Sequence, residues 1–458
     1  MTVKGNLTVI EGCAIATMDG GGTEHVAGHI VVEGNVITAV GEGTAPRFDY
    51  TRRIAAAGCL ATPGLINCHH HLYQWLTRGW AQQANLFEWL QALYPVWAHI
   101  DRAGVETAAG AGLAALALSG CSTSTDHHYV WPHGGDDLLG AEIDAAARLG
   151  LRFHPCRGAM DLGRREGGLP PDEIVEDRDA VLSATEAALD SYHDDAWDSM
   201  LRVAIAPCSP FSVSAELMTE SAELARARNV RLHTHLAETS DEDEFCRERF
   251  GLRPVEYLDD LGWLGPDVWL AHCVRLEEHD IKRLATTDTG VAHCPSSNAR
   301  LGAGIAPVRR LLAEGVAVGL GVDGAASNEA GELRGEMRQA LALARLSEGP
   351  QALTARAALA LATSQGARCL GRADALGSLE AGKLADIGLW RCDDLWHAGT
   401  ADPVAALVLG PPRPVDLLMV NGEVVVQGST LIGIDESAVA AELAAACAGL
   451  RARAGVGA

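Results

Sequence analysis

The sequence is short of positive charge, and of lysine above all. Its 458 residues hold 36 Lys and Arg against 60 Asp and Glu, a net charge of −24. Nucleic-acid binding rests on neutralising phosphates with basic side chains, so this balance argues against a polyanionic partner. Lys4, Lys282 and Lys383 are the only lysines, and 33 of the 36 basic residues are arginine. A Schiff base or a lysine-bridged metal pair has only these three candidates. No stretch reaches the ~18 uninterrupted apolar residues of a membrane span, so no membrane partner is expected. The twelve cysteines include no CxxC pair. The opening MTVKGNLTVIEGCAIATMDG lacks a charged-then-apolar signal pattern. Together these features predict reduced, mostly buried thiols in a cytoplasmic protein. A phosphate-cradling glycine loop is missing as well, because GLGVDG (319–324) reads as the end of a strand.

What is present is a globular composition, 48% apolar and 21% charged, too apolar for a disordered chain. The first 60 residues alternate in short runs punctuated by glycine, a hairpin-rich β pattern. The same pattern returns in ADIGLW (385–390) and LLMVNGEVVVQG (417–428), around an Asn421-Gly422 turn. Segments 1–60 and 380–434 are therefore expected to form one composite β-sandwich from both termini. Residues 435–448 read as a last helix capped by Asp435 or Ser437, followed by a frayed tail to 458. Between the ends, short apolar strands alternate with Ala- and Leu-rich helical stretches. Eight strands stand at 62–71, 120–128, 151–158, 201–209, 230–238, 268–274, 289–298 and 317–324. That alternation predicts an α/β chain whose residues 61–379 close into a (β/α)8 TIM barrel.

Active sites of such barrels lie at the carboxyl ends of the strands. Ten of the 17 histidines fall at those expected ends: His69, His70, His71, His127, His128, His154, His233, His235, His272 and His293. Alternate strand residues share a face, so His69 and His71 point together and form half of a metal site, with His70 on the other side or along the rim. In His233-Thr234-His235, His235 is nearer the strand end and is taken as the third ligand, with His233 packing or supporting it. Glu238, three residues on, is placed for general acid–base work. His272 closes the sixth strand and Asp323 the eighth, where a carboxylate can bind a metal and take a proton. The fourth strand, LRVAIAPCS, has no lysine, so the site is expected to hold one metal. Three histidines and a carboxylate suit one divalent ion, zinc first and iron(II) second.

These motifs, with PGLINCHHH, HLAE, AHC and GVDGAASN in order along the chain, resemble the mononuclear deaminase and aminohydrolase branch of the amidohydrolase superfamily. The resemblance covers nearly the whole chain. It implies His69, His71, His235 and Asp323 as metal ligands, and Glu238, His272 and Asp323 as the catalytic set. It also implies hydrolytic removal of an exocyclic amine from a small heterocycle, and a homo-oligomer. The strings HHHLYQWLTR, RFHPCRGAMDLGRREGGLPPD, APCSPFSVS and AHCPSSNARLGAGIAPVRR are similar to 8-oxoguanine deaminases and to s-triazine hydrolases. Cys208 after Pro207 speaks against plain guanine, where an arginine is usual. The triazine chlorohydrolases that most resemble this chain are expected to replace the strand-five glutamate, so Glu238 favours a deaminase. The expected product of 8-oxoguanine is urate, with ammonia released. Alternatives are hydrolysis of isoxanthopterin, guanine or an s-triazine, or a non-catalytic metal-binding barrel. Gln74 and His70 are the candidate substrate contacts; Arg78 reads as structural. Residues 86–101 are expected as a packing helix or a cover over the pocket, and His127-His128 as substrate contacts or plain loop residues.

Overall fold

The computed structural model describes residues 7–46, 49–132 and 137–456; Lys4 and the last two residues of the tail lie outside them. Eight parallel strands close into a barrel: Leu65–Asn67 (β1), Cys121–His128 (β2), Arg152–Ala159 (β3), Ala204–Pro207 (β4), Leu232–Leu236 (β5), Val268–His272 (β6), Gly290–His293 (β7) and Val318–Leu320 (β8). The seam between β8 and β1 is the pair Leu320 and Asn67. The barrel interior carries small side chains, Cys68, Cys156, Ala204, Ala206 and Ala292, around one large one, Trp269. Small residues at facing positions make room for the indole, whose Nε1 donates to the Cys68 carbonyl at 3.0 Å and so leaves no orphaned polar atom in the core.

A separate nine-stranded sheet takes strands from both ends of the chain, with its own apolar core that includes Ile10, Ile30, Ile387 and Met419. Asn421 and Gly422 both have positive φ, 51° and 82°, as a type I′ hairpin turn requires.

The stretch expected as one first strand is split three ways. Cys59–Pro63 pairs antiparallel with Ile387–Arg391 in the terminal sheet. Leu65–Asn67 enters the barrel. His70–His71 then pairs with Asp323–Gly324 as a two-residue extension above it. The chain changes sheets at Gly64, where a Cβ would fall 2.4 Å from the Ser122 hydroxyl.

Two helices flank the catalytic end and the chain terminus. Leu86–Trp97 (α1) opens with a capping box between Asn85 and Glu88. The last helix, Glu436–Arg453 (α2), is capped by Asp435 as expected but runs beyond residue 448. The frayed tail is corrected there: Leu450 is fully buried, Arg453 donates to the His99 carbonyl at 3.0 Å and pairs with Asp101 at 3.1 Å. Those anchors are long-range contacts that local composition does not show. No helix among the described residues is long and apolar enough to cross a membrane. All twelve cysteines are free.

Candidate metal centre and active site

At the carboxyl ends of the strands the hydrogen bonds fix which nitrogen of each imidazole carries its proton. His233 Nδ1 lies 2.8 Å from the Trp269 carbonyl, which can only accept, so its Nε2 is an acceptor. His69 Nδ1–H therefore donates to His233 Nε2 at 2.8 Å, which leaves His69 Nε2 a bare lone pair, buried and without a partner. His71 Nδ1–H donates to the His127 carbonyl and His235 Nδ1–H to the Cys208 carbonyl, each at 2.7 Å. Burial keeps all three rings neutral, with His71 pushed down to about 4 and His69 and His235 well below the usual imidazole value. The neutral tautomers leave three Nε2 lone pairs aimed at one point.

Those lone pairs crowd each other. His71 Nε2 and His235 Nε2 are 3.1 Å apart, and Asp323 Oδ1 is 3.4 Å and 3.3 Å from His69 Nε2 and His71 Nε2. Four electron-rich atoms facing each other without a proton repel unless a cation lies between them. Zinc–nitrogen bonds of ~2.0–2.1 Å in a tetrahedron set neighbouring donors about 3.3 Å apart, the spacing found here. Asp323 is prepared for the role. Burial opposes its charge, but contact with His69 and the fields of His272, His69 and His71 outweigh it and hold the carboxyl well below its usual range. Ser297 and Ser327 hydroxyls donate to its other oxygen at 2.5 and 3.3 Å. Its backbone sits at φ 60°, a left-handed conformation that costs a non-glycine residue free energy.

Beside this centre, Glu238 Oε2 stands 3.5 Å from His272 Nε2, while Glu238 Oε1 is buried without a partner. Burial pushes the Glu238 carboxyl up to about 7. His272 resists burial through Glu238, Asp323 and Asn298 and is shifted upward; its Nδ1–H donates to Asn298 Oδ1 at 3.0 Å. Both side chains line a small cavity of about 30 Å³, together with His71, His235, Asp323 and Gln74. Its walls are apolar and flat, from Trp89 and Tyr94 on α1, Tyr129 after β2, and Phe211 after β4.

Residues 60–425 match the amidohydrolase family. The chain belongs to this family. It is 44% identical over 438 residues to the 8-oxoguanine deaminase of Pseudomonas aeruginosa PAO1, covering 95% of this chain and 97% of that one. It is 37% identical to an isoxanthopterin deaminase of an unknown prokaryotic organism, over 89% of this chain and 88% of the other. The zinc complex of the atrazine chlorohydrolase of Arthrobacter aurescens TC1 superposes with a TM-score of 0.92 at 34% identity, covering 96% of this chain and all of that one.

This amidohydrolase therefore binds a divalent metal. The sequence-predicted set His69, His71, His235, Asp323, Glu238 and His272 meets in one place; Gln74 lies on the same cavity with both ends of its amide unpartnered. A Cβ at Gly324 would fall 1.7 Å from Gln74 Oε1, so that glycine makes room for the amide. His70 is a correction. It is fully buried and not among the residues that line the cavity, and its Nδ1 accepts the His71 backbone N–H at 2.9 Å. His127 and His128 do not line the cavity either. His127 stacks on His235 with ring centroids 4.7 Å apart, and His128 packs against buried Glu142 at 2.8 Å. Helix α1 forms a cavity wall. Arg78 lies over the Trp75 ring and bonds the Glu329 carbonyl, in keeping with its structural reading.

Several supporting residues carry no motif. Ser297 and Asn298 hold Asp323 and His272. Glu242, one helical turn past Glu238, accepts the backbone N–H groups of Ala237 and Glu238, each at 2.8 Å. It thereby fixes a turn in which Ala237 has φ 52°. Glu242→Ala leaves two buried donors unpaired, at a cost of ~1–3 kcal/mol each. We expect a lowered melting temperature together with a drop in kcat, and Glu242→Gln, which retains one acceptor, should recover part of both. A variant with unchanged kcat would remove Glu242 as a positioning residue.

Proposed function

We propose that this protein is a metal-dependent deaminase of a free oxidised purine, converting 8-oxoguanine and water to urate and ammonia. The observation that carries the reading is the unpartnered Glu238 oxygen, which shares one small, flat-walled cavity with the lone-pair cluster and Asp323. The 44% identity to the Pseudomonas 8-oxoguanine deaminase supports the choice of base. We assign His69, His71, His235 and Asp323 to the metal and propose zinc. When bound, the ion supplies a Lewis acid that polarises water.

The chain's own residues handle the protons. Asp323 accepts one from the attacking water. Glu238, protonated in a useful fraction near neutrality, gives its proton to the ring nitrogen next to the carbon under attack; the proton taken by Asp323 passes to the departing amine, and the remaining proton of the added oxygen returns to Glu238 as the new carbonyl forms. His272 donates a hydrogen bond to the incoming oxygen. A C–O bond forms, the exocyclic C–N bond breaks, and ammonia leaves. The Gln74 amide offers one donor and one acceptor to a lactam edge. The free, mostly buried thiols suit a cytoplasmic enzyme.

Glu238 alone does not choose between substrates. The atrazine chlorohydrolase has also been crystallised, with zinc and atraton, as a Glu-to-Gln variant, so a chlorohydrolase too can carry a glutamate. The test is a steady-state panel of 8-oxoguanine, guanine, isoxanthopterin and hydroxyatrazine. The highest kcat/KM is expected on 8-oxoguanine; a higher value on any other overturns the substrate assignment.

A further inference from the structure

The sequence groups His154 with the other histidines at the catalytic rim. It lies instead near the start of β3, buried at 4% exposure, with its ring 5.7 Å from Trp269. Trp269 stacks on His233 at 4.4 Å, so the indole separates the metal centre from the floor where His154 sits. Around this floor are arginines at the amino-terminal ends of the strands. Arg202 precedes β4, Arg231 precedes β5, and Arg372 comes from the loop after the helical layer. All three are close enough to His154 to drive its protonation down, after burial.

These guanidiniums are poorly neutralised. Arg152 on the same floor has a carboxylate, Asp386, at 3.1 Å, but among the described residues no ion pair is found for Arg202, Arg231 or Arg372. Asp194, Asp195, Asp374, Asp267, Asp288 and Asp386 act on them only from longer range. Their bonds go to backbone carbonyls: Arg202 to Asp195 and Ala196, Arg372 to Trp197 and Ser199, Arg231 to Pro266 and Cys369. Arg152 donates to the same Ser199 oxygen as Arg372, which presses two cations together. A Cβ at Gly371 would lie 2.6 Å from Arg231 Nη1, which places Arg231 against the residue before Arg372. The Nε–H groups of Arg202, Arg231 and Arg372 are all buried with no acceptor, and Arg372 is 3% exposed. Burial and the neighbouring Arg202 and Arg152 push the Arg372 guanidinium down to about 9. Buried donors without acceptors and like charges without counter-ions both cost free energy.

We propose that Arg202, Arg231 and Arg372, grouped about His154 at the amino-terminal end of the barrel, bind a small oxyanion such as inorganic phosphate or a carboxylate. Guanidinium donors suit such oxygens in geometry and charge. A groove lined by Arg231 and Arg368, with the carboxylates Asp288 and Asp374 beside them, opens at this end, well away from the catalytic cavity; of the three arginines it reaches Arg231. An anion here neutralises the cluster and ties the loops bearing Trp197 and Arg372 to the barrel floor.

The test is thermal melting of the zinc-loaded enzyme in phosphate, and separately in malonate, against chloride of equal ionic strength. A ligand held only by the folded state raises the melting temperature, so a rise of several degrees is expected. A rise with malonate alone keeps the site and names a carboxylate as occupant. Arg372→Gln should abolish the increment and Glu238→Gln should retain it. No increment in either anion, or one that survives Arg372→Gln, overturns the site. If Arg372→Gln does not fold, equilibrium dialysis of wild type with labelled phosphate decides. About one bound anion per chain, retained after the metal is stripped, supports the site; none, or binding lost with the metal, overturns it.

Discussion

Glu238→Gln is expected to keep its metal and lose deamination by a factor of about 10²–10⁴, the usual worth of a positioned general acid or base. The amide preserves shape, and the carbonyl oxygen can still accept from His272. What disappears is the transferable proton. In wild type, burial raises the Glu238 carboxyl to about 7, so it is largely protonated below that pH and able to donate. Activity should therefore fall as pH rises through this value. A divalent charge in the neighbouring site favours the carboxylate, so with metal bound the alkaline limb falls at or below about pH 7. Asp323 acts oppositely: its carboxyl is held well below the ordinary range, so it stays a competent base far to the acid side. The variant should lose the alkaline limb from its residual kcat/KM profile while metal analysis still gives one ion per chain. Unchanged turnover would take Glu238 out of the mechanism; lost metal would assign it to the ligand shell.

The barrel is legible in the sequence because each βα unit repeats the same burial problem: a short apolar strand needs a helix over it, and eight such units in a row close on themselves. The metal cluster is legible for a related reason. Strand parity puts His69 and His71 on one face without any tertiary information. Parity also keeps His70 out of the cavity lining. His70 and His71 lie in a two-residue pairing with Asp323–Gly324, and the His70 ring turns back onto its own backbone. His154 is misplaced because it sits near the start of the strand Arg152–Ala159 and not at its carboxyl end. Glu242 and Asn298 carry no pattern of their own, because a side chain that works by holding another is recognised only when its partner is in view. The same holds for Arg453, whose contacts with His99 and Asp101 join positions some 350 residues apart.

Asp323→Asn should be the more damaging substitution, because one side chain is proposed to serve as both ligand and base. The direction of the new amide can be worked out. Gly324 N–H donates to Oδ1 at 2.8 Å, so an NH₂ there would meet another donor. The Ser297 and Ser327 hydroxyls at Oδ2 can rotate to accept. The amide therefore turns its NH₂ toward the serines and keeps an oxygen toward His69 and His71. Steric fit and fold are preserved, and the melting temperature should move little. The negative charge that balances a divalent ion is lost, however, and so is any basicity at the proton-accepting position. We expect metal affinity to weaken by at least the ~10–100-fold seen when an outer-shell partner of a ligand is lost, and kcat to fall by about 10⁴-fold even at saturating zinc, the upper end for a lost proton-transfer group. Ser297→Ala supplies the control: it removes one hydrogen bond to the carboxylate but leaves charge and base in place, so its loss in kcat should be far smaller. Titration of the metal-free variants with zinc, followed by rates at saturation, separates the two effects. If Asp323→Asn at saturating zinc works within tenfold of wild type, Asp323 is at most a ligand, and the base that accepts the water proton lies elsewhere in the cavity.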